Sequence, residues 1–189
     1  MSVTLHTSVG DLPFVLHWRS CPRAAFNFLA LAASGYYNGT TFHRNLAGFI
    51  AQGGDPTGTG KGGSSVYSHY RQQKKSVSAD GATAGSSGSV AYFDDEGFGE
   101  TFHSRRGVLS MAHRGTKPNT NASQFFVTYA PVPSFDGSYT AFGELQGGDA
   151  ILDALEQCSK DQIVVKLLDC TVTYNPFAEK TIPFDPQSV

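Results

Sequence analysis

Between residues 42 and 55 the chain reads Phe42-His43-Arg44-Asn45-Leu46-Ala47-Gly48-Phe49-Ile50-Ala51-Gln52-Gly53-Gly54-Asp55. Two short apolar runs, Thr41–Arg44 and Phe49–Gln52, read as strands. Ile50 and Gln52 stand two apart and so share one strand face. The glycines that follow, up to Gly63, look at first like a phosphate cradle. With Gly60-Lys61 in register, however, the first glycine of a P-loop falls at position 55, which is Asp, and Gly62 fills the Ser/Thr position. The run is therefore read as a tightly turning loop beside a site.

Outward from this stretch the pattern is mostly β. Val3, Leu5 and Thr7 alternate with Thr4 and His6, Gly10-Asp11 supplies turn chemistry, and Leu12, Phe14, Leu16 and Trp18 resume the period of two, which predicts a hairpin. Pro13 lacks a ladder donor and suits an edge or a bulge. Pro22 can open a helix whose stripe is Ala25, Phe28, Leu29 and Ala32, with Gly35 as its stop. Asp149 reads as the cap of a second helix with the stripe Ile151, Ala154, Leu155 and Cys158. Further short runs lie at Val108–Ala112, Gln124–Tyr129, Ala141–Leu145 and Ile163–Tyr174. Many short strands with two distant helices predict a closed barrel with a helix over each mouth. Periodicity alone does not separate a barrel from a sandwich.

Composition agrees. The chain has 189 residues, enough for one core, with 21 glycines and 22 Phe plus Tyr (14 and 8), which favours strands and tight turns. A net charge of −2 argues against a nucleic-acid surface or an anionic membrane as the main partner. Cys21, Cys158 and Cys170 are odd in number and without CxxC spacing, as suits a reducing compartment. The opening residues alternate like a strand rather than a signal peptide, and no run reaches the length of a membrane span. The sequons at Asn38 and Asn121 are read as chance matches.

Other chemistries find no support. His6, His17, His43, His69, His103 and His113 form no HxxxH or close Cys/His pair, so no metal site is expected. No GxSxG elbow marks a nucleophile. Asp94-Asp95-Glu96 reads as a solvated acidic turn. Ser68–Tyr92 is polar and holds the Ser/Gly/Ala-rich stretch 76–89; it buries too little apolar surface to offset ordering and is read as a mobile surface insertion.

A second informative block joins the first: Gly107-Val108-Leu109-Ser110-Met111-Ala112, then Asn119-Thr120-Asn121-Ala122-Ser123-Gln124-Phe125-Phe126. Gln124 and Phe126 share a strand face, leaving Phe125 for the core. One guanidinium and two amides over an aromatic and aliphatic surface suit an apolar ring beside a carbonyl, which is what an X-Pro peptide presents. Together the two blocks closely resemble the cyclophilins, along nearly the whole chain outside the insertion and the last dozen residues. The resemblance implies a mainly β fold, a closed eight-stranded antiparallel β-barrel capped by two α-helices. It implies an isomerase domain over residues 1–178, with the insertion at 68–92 and a tail at 179–189. No cofactor is implied.

It also implies peptidyl-prolyl cis/trans isomerisation. Arg44 donates to the prolyl carbonyl oxygen and approaches the prolyl nitrogen, and Gln52 holds Arg44. Phe49, Ile50, Phe126 and Phe135 line the proline pocket, while the Ala112-His113 backbone, Gln124 and Tyr139 contact the peptide. Three positions depart from the family: Ser134 replaces a tryptophan many cyclophilins carry, Tyr139 stands where histidine is usual, and His113 where asparagine is. Thr116-Lys117 look like a two-residue insertion. Ser134 removes an indole donor, so weak cyclosporin binding is expected. The opening 1–7, the loop 53–63 and Asn175-Pro176-Phe177-Ala178 are similar to the small spliceosome-associated branch, which implies a nuclear or cytoplasmic protein with spliceosomal partners. An active isomerase acting on X-Pro bonds of clients, in folding or spliceosome-type assembly, is the first reading. A proline-binding adaptor of a nuclear ribonucleoprotein assembly is the second.

Overall fold

A computed structural model describes residues 1–68 and 92–176. Its strands are β1 (Ser2–Thr7), β2 (Gly10–Leu16), β3 (Arg44–Leu46), β4 (Ile50–Gly53), β5 (Val108–Met111), β6 (Phe125–Thr128), β7 (Ala141–Leu145) and β8 (Leu167–Tyr174). The helices are α1 (Pro22–Ala33) and α2 (Asp149–Lys160), with a 3₁₀ turn at Pro133–Phe135. Helical residues also begin at 66–68, where the described stretch stops. The eight strands form one antiparallel sheet in the order β3-β4-β6-β5-β7-β2-β1-β8.

The sheet curls but its ladder does not close, which corrects the expected closed barrel. β3 and β8 end the sheet and do not pair with each other among the described residues; the segments leading into them meet at the isolated bridge Thr41–Lys166. Phe42 N–H donates to Val165 O at 3.0 Å, and Leu167 N–H to Thr40 O at 2.8 Å. β3 has three residues and starts beyond this bridge, so its outer edge finds no strand to pair with among the described residues.

Local sequence explains most elements. β1 buries Val3, Leu5 and Thr7, and β2 buries Leu12, Phe14 and Leu16, the alternation of a half-buried hairpin. Pro13 lies in an interior strand, not at an edge. It is tolerated because the β7 ladder ends at Leu145; beyond it the Pro13 carbonyl accepts from Gln146 N–H at 2.8 Å. α1 opens on Pro22 and turns out at Gly35, whose φ is +71°. The cap of α2 is Gly148, with Asp149 in the first turn, where its charge favours the helix dipole.

The inner face of the sheet packs on both helices. Phe28 of α1 lies 5.2 Å from Phe125, 5.3 Å from Phe142 and 5.4 Å from Tyr37, centroid to centroid. Burying each such ring stabilises the fold by about 1.5–3 kcal/mol. Ile50, Ala112 and Phe126 form a separate apolar cluster with Phe49, Phe135 and Tyr139. Ser68, taken as the start of the polar insertion, is buried and donates to Ser65 O at 2.6 Å. The rest of that expected insertion up to residue 91, and residues 177–189 with the expected tail, lie outside the described residues. No helix among the described residues is long and apolar enough to cross a membrane.

Candidate active site

Pairing register builds the site. Arg44 stands opposite Gln52 across β3 and β4, Gln52 opposite Phe126 across β4 and β6, and Phe126 opposite Ser110 across β6 and β5. Residues directly opposite one another in a ladder point to the same face. One transverse row thus carries a cation, an amide, a phenyl ring and a hydroxyl. Phe125, next in the chain, points the other way and is fully buried.

A groove of about 490 Å³ lies over this row. Of the residues expected from sequence, Arg44, Ile50, Gln52, Ala112, His113, Phe126, Phe135 and Tyr139 line it. Phe49 stands behind the wall, its ring 5.6 Å from that of Phe135. Gln124 lines a small adjoining recess with Gly62 and Arg114. The aromatic wall is continuous: Phe126 to Phe135 is 5.5 Å and Phe135 to Tyr139 4.6 Å.

Three polar arrangements hold this wall and floor. Gln52 Nε2 donates to Gln124 Oε1 at 2.9 Å, and Gln124 Nε2 donates to Gly62 O at 2.8 Å. Gln52 therefore anchors Gln124 and the glycine loop. It does not hold Arg44, as the resemblance implied; the Arg44 guanidinium is exposed and has no hydrogen bond or ion pair among the described residues. Arg44 is placed by its backbone. Asn45 Nδ2 donates to Leu155 O at 2.8 Å, Ser159 Oγ to Asn45 O at 2.7 Å, and Gly48 N–H to Glu156 Oε1 at 2.7 Å, so the β3–β4 turn is strapped onto α2.

Behind Phe126 lies a buried relay. His103 stacks on Phe126 at 5.9 Å, with Nδ1 2.9 Å from Asp136 Oδ1 and Nε2 2.9 Å from Ser110 Oγ. Burial lowers the His103 pKa more than Asp136 raises it. Ser110 and His103 are fully buried, so this Ser-His-Asp chain supports the wall and faces no substrate. Third, His113 Nε2 lies 2.7 Å from Asp95 Oδ1, and Asp95 also accepts from Asn119 N–H and Asn121 Nδ2, each at 2.8 Å. Burial pushes the Asp95 pKa up, but these donors hold it below the usual range.

Within the acidic turn 94–96, Asp95 and Glu96 are built into the fold, while Asp94 stays exposed. Asp94 pairs with Arg23 at 3.6 Å, and Glu96 accepts from Ala24 N–H at 2.7 Å at the start of α1. Sequence reasoning also missed His43, Thr59, Gly60 and Gly115, which line the groove. Residue 43 precedes β3, so strand alternation with Arg44 does not turn its side chain away. By distance and angle, neither ring nitrogen finds a hydrogen-bond partner among the described residues, and burial lowers its pKa. Thr59 and Gly60 arrive on a loop pinned by Asp55, which accepts from Thr57 N–H at 2.8 Å and Gly62 N–H at 3.1 Å. Gly54 lets that loop touch β6: at φ +83° a Cβ there would stand 2.4 Å from Ser123 O. Among the described residues no group of three His, Cys, Asp or Glu side chains could hold a metal ion.

Similarity to known proteins places the chain among the enzymes that rotate peptidyl-prolyl bonds. Residues 2–173 match the model of the cyclophilin type peptidyl-prolyl cis-trans isomerase/CLD family, and the chain belongs to that family. It is 44% identical over 185 residues to peptidyl-prolyl cis-trans isomerase-like 3 of Mus musculus, covering 95% of this chain and 100% of that one. The Homo sapiens protein of the same name is 43% identical over 185 residues, with the same coverage. The crystal structure of a Cryptosporidium parvum cyclophilin type isomerase, determined in the presence of the dipeptide Ala-Pro, superposes with a TM-score of 0.76. It is 44% identical, covering 93% of this chain and 100% of that one.

Proposed function

We propose that this chain isomerises exposed X-Pro bonds of protein clients, in folding or in spliceosome-type assembly, with Arg44 as the group that acts on the reacting amide. The single observation that carries this reading is the row Arg44–Gln52–Phe126, which sets one cation at the rim of an apolar groove. The barrier is rotation about a partial double bond, roughly 18–20 kcal/mol. Phe126, Ile50 and Phe135 hold the prolyl ring, and Phe49 backs Phe135. The guanidinium donates to the prolyl carbonyl oxygen and approaches the prolyl nitrogen as its lone pair localises, which binds the twisted amide better than either planar form. A gain of about 10⁵ needs about 7 kcal/mol of such differential binding. Arg suits the task through its permanent charge and planar fork of donors.

The Ala112-His113 backbone and Tyr139 grip the peptide. Gln124 acts by holding Gln52 and the Gly62 carbonyl, since both ends of its amide are engaged there. We place the activity in one domain over residues 1–178, in the nucleus or cytoplasm, without a cofactor. Cyclosporin is expected to bind weakly, because Ser134 offers neither an indole donor nor its contact area. The departures at Ser134, His113 and Tyr139 favour a second reading, an adaptor that docks on proline segments of a ribonucleoprotein assembly with little turnover.

Exchange NMR on an Ala-Pro peptide separates the two. Enhanced cis/trans exchange with the wild-type chain that vanishes in Arg44→Ala supports the enzyme. Binding shifts without enhanced exchange support the adaptor.

A further inference from the structure

The aromatic wall of the proline groove has a second side. A cavity of about 400 Å³ opens there, sharing His113, Phe135 and Tyr139 with the groove; Phe98, Pro118 and Ser134 are among its other lining residues, with Asp95, Thr116 and Ser138 as polar ones. The His113 and Tyr139 rings stack at 4.4 Å with 23° between their planes. One ply of aromatic carbon therefore presents a face to each cavity.

That wall is rigid. The His113 side chain is 3% exposed and tied to Asp95, whose carboxylate is already engaged by Asn119 and Asn121. Among the described residues that line the second cavity, Asp95 is the one carboxylate, and it is engaged by His113 Nε2 at 2.7 Å. The cavity thus offers the rings of Phe98, His113, Phe135 and Tyr139 beside a rim of Thr116, Ser134 and Ser138, with its one carboxylate already engaged. Ser134 is small and exposed, which leaves the mouth wide. Phe98, at the same cavity, leaves 47% of its surface in water. An exposed phenyl ring next to a rigid aromatic recess is the composition of a site for another ring, since such surfaces gain most when water is expelled from between them.

We propose that this recess is a second subsite of the peptide groove, taking a large apolar side chain, an aromatic one best, that flanks the proline. The proposal rests on the isomerase family's use of the first groove. An extended peptide advances about 3.3 Å per residue, so a chain seated with its proline against Phe126 reaches the far side of a single aromatic ply within a few residues. His113 and Tyr139 then separate two side chains of one substrate.

The test is a peptide scan. A parent peptide with one proline flanked only by alanines is compared with peptides carrying Phe at each of the three positions on either side. Affinity is read by NMR titration and turnover by exchange. At one position Phe should tighten binding about tenfold. Phe98→Ala and Ser134→Trp, the second of which fills the recess, should each abolish that gain, and Phe98→Ala should leave the parent peptide binding as before. A parent peptide that binds with no gain at any position overturns the subsite, as does a gain that survives both variants. A parent peptide that binds without enhanced exchange overturns the isomerase reading alone, and the affinities still decide the subsite. A parent peptide that does not bind at all overturns both.

Discussion

Glu156 accepts the Gly48 amide at 2.7 Å through one carboxylate oxygen and Arg106 at 2.6 Å through the other. This contact ties the turn next to Arg44 to α2, on a strand of three residues with an open outer edge. Charge-assisted hydrogen bonds of this kind contribute about 1.5–3 kcal/mol each.

Glu156→Ala should therefore lower stability by about 2 kcal/mol and reduce turnover severalfold, with peptide affinity nearly unchanged. Glu156→Gln keeps an acceptor for Gly48 and should restore most of the turnover. Urea unfolding and exchange NMR check this. Equal turnover in all three proteins would make the strap a stability element only.

Phe125 and Phe126 give opposite phenotypes. Phe125 packs edge-on against Phe28 and Tyr37 inside the sheet. Phe125→Ala should cost about 3–5 kcal/mol and leave the surviving folded fraction able to bind peptide. Phe126→Ala opens the groove floor and should weaken peptide affinity at least tenfold. Melting curves paired with peptide titration distinguish the two; a Phe126→Ala protein with normal affinity would show that proline sits elsewhere.

His103 makes the fold acid-sensitive. Its pKa is below the ordinary 6.5 in the native state, because burial outweighs the pull of Asp136. The unfolded chain therefore takes up a proton that the native chain resists. The stability this group contributes is full above pH 6.5 and is lost as pH falls through the native value, at about 1.4 kcal/mol per unit of separation. Wild type should lose more stability than His103→Gln between pH 7.5 and 5.5. Parallel pH profiles for the two proteins would contradict this.

Glu96 acts with the reverse sign. Burial lifts its pKa to about 7 against the opposing pull of the Ala24 N–H. The native state thus prefers the protonated acid, and the stability it contributes is present below pH 4.5 and lost as pH rises through about 7. Glu96→Gln, which keeps an acceptor for the α1 amide, should be more stable than wild type by about 3 kcal/mol at pH 8 and nearly equal to it at pH 4.5. Denaturant unfolding at the two pH values reads this directly.

The sequence by itself determined the strands, the helix α1 and the placing of Gln124 and Phe126 on one face, because periods of two and 3.6 are local consequences of backbone geometry. It also singled out Arg44, Phe49, Gln52 and Phe126 as a group through the two ordered blocks. Only the tertiary structure decided who partners whom. Gln52 meets Gln124 rather than Arg44, and Asp95 and Glu96 turn from solvent to His113 and the start of α1. The sheet stays unclosed at β3, and Ser134 borders a recess behind Tyr139. A side chain's period is written in its neighbours along the chain. Its partner across space depends on register, on loop path and on which charge can be buried beside which, and these are set by the whole fold at once.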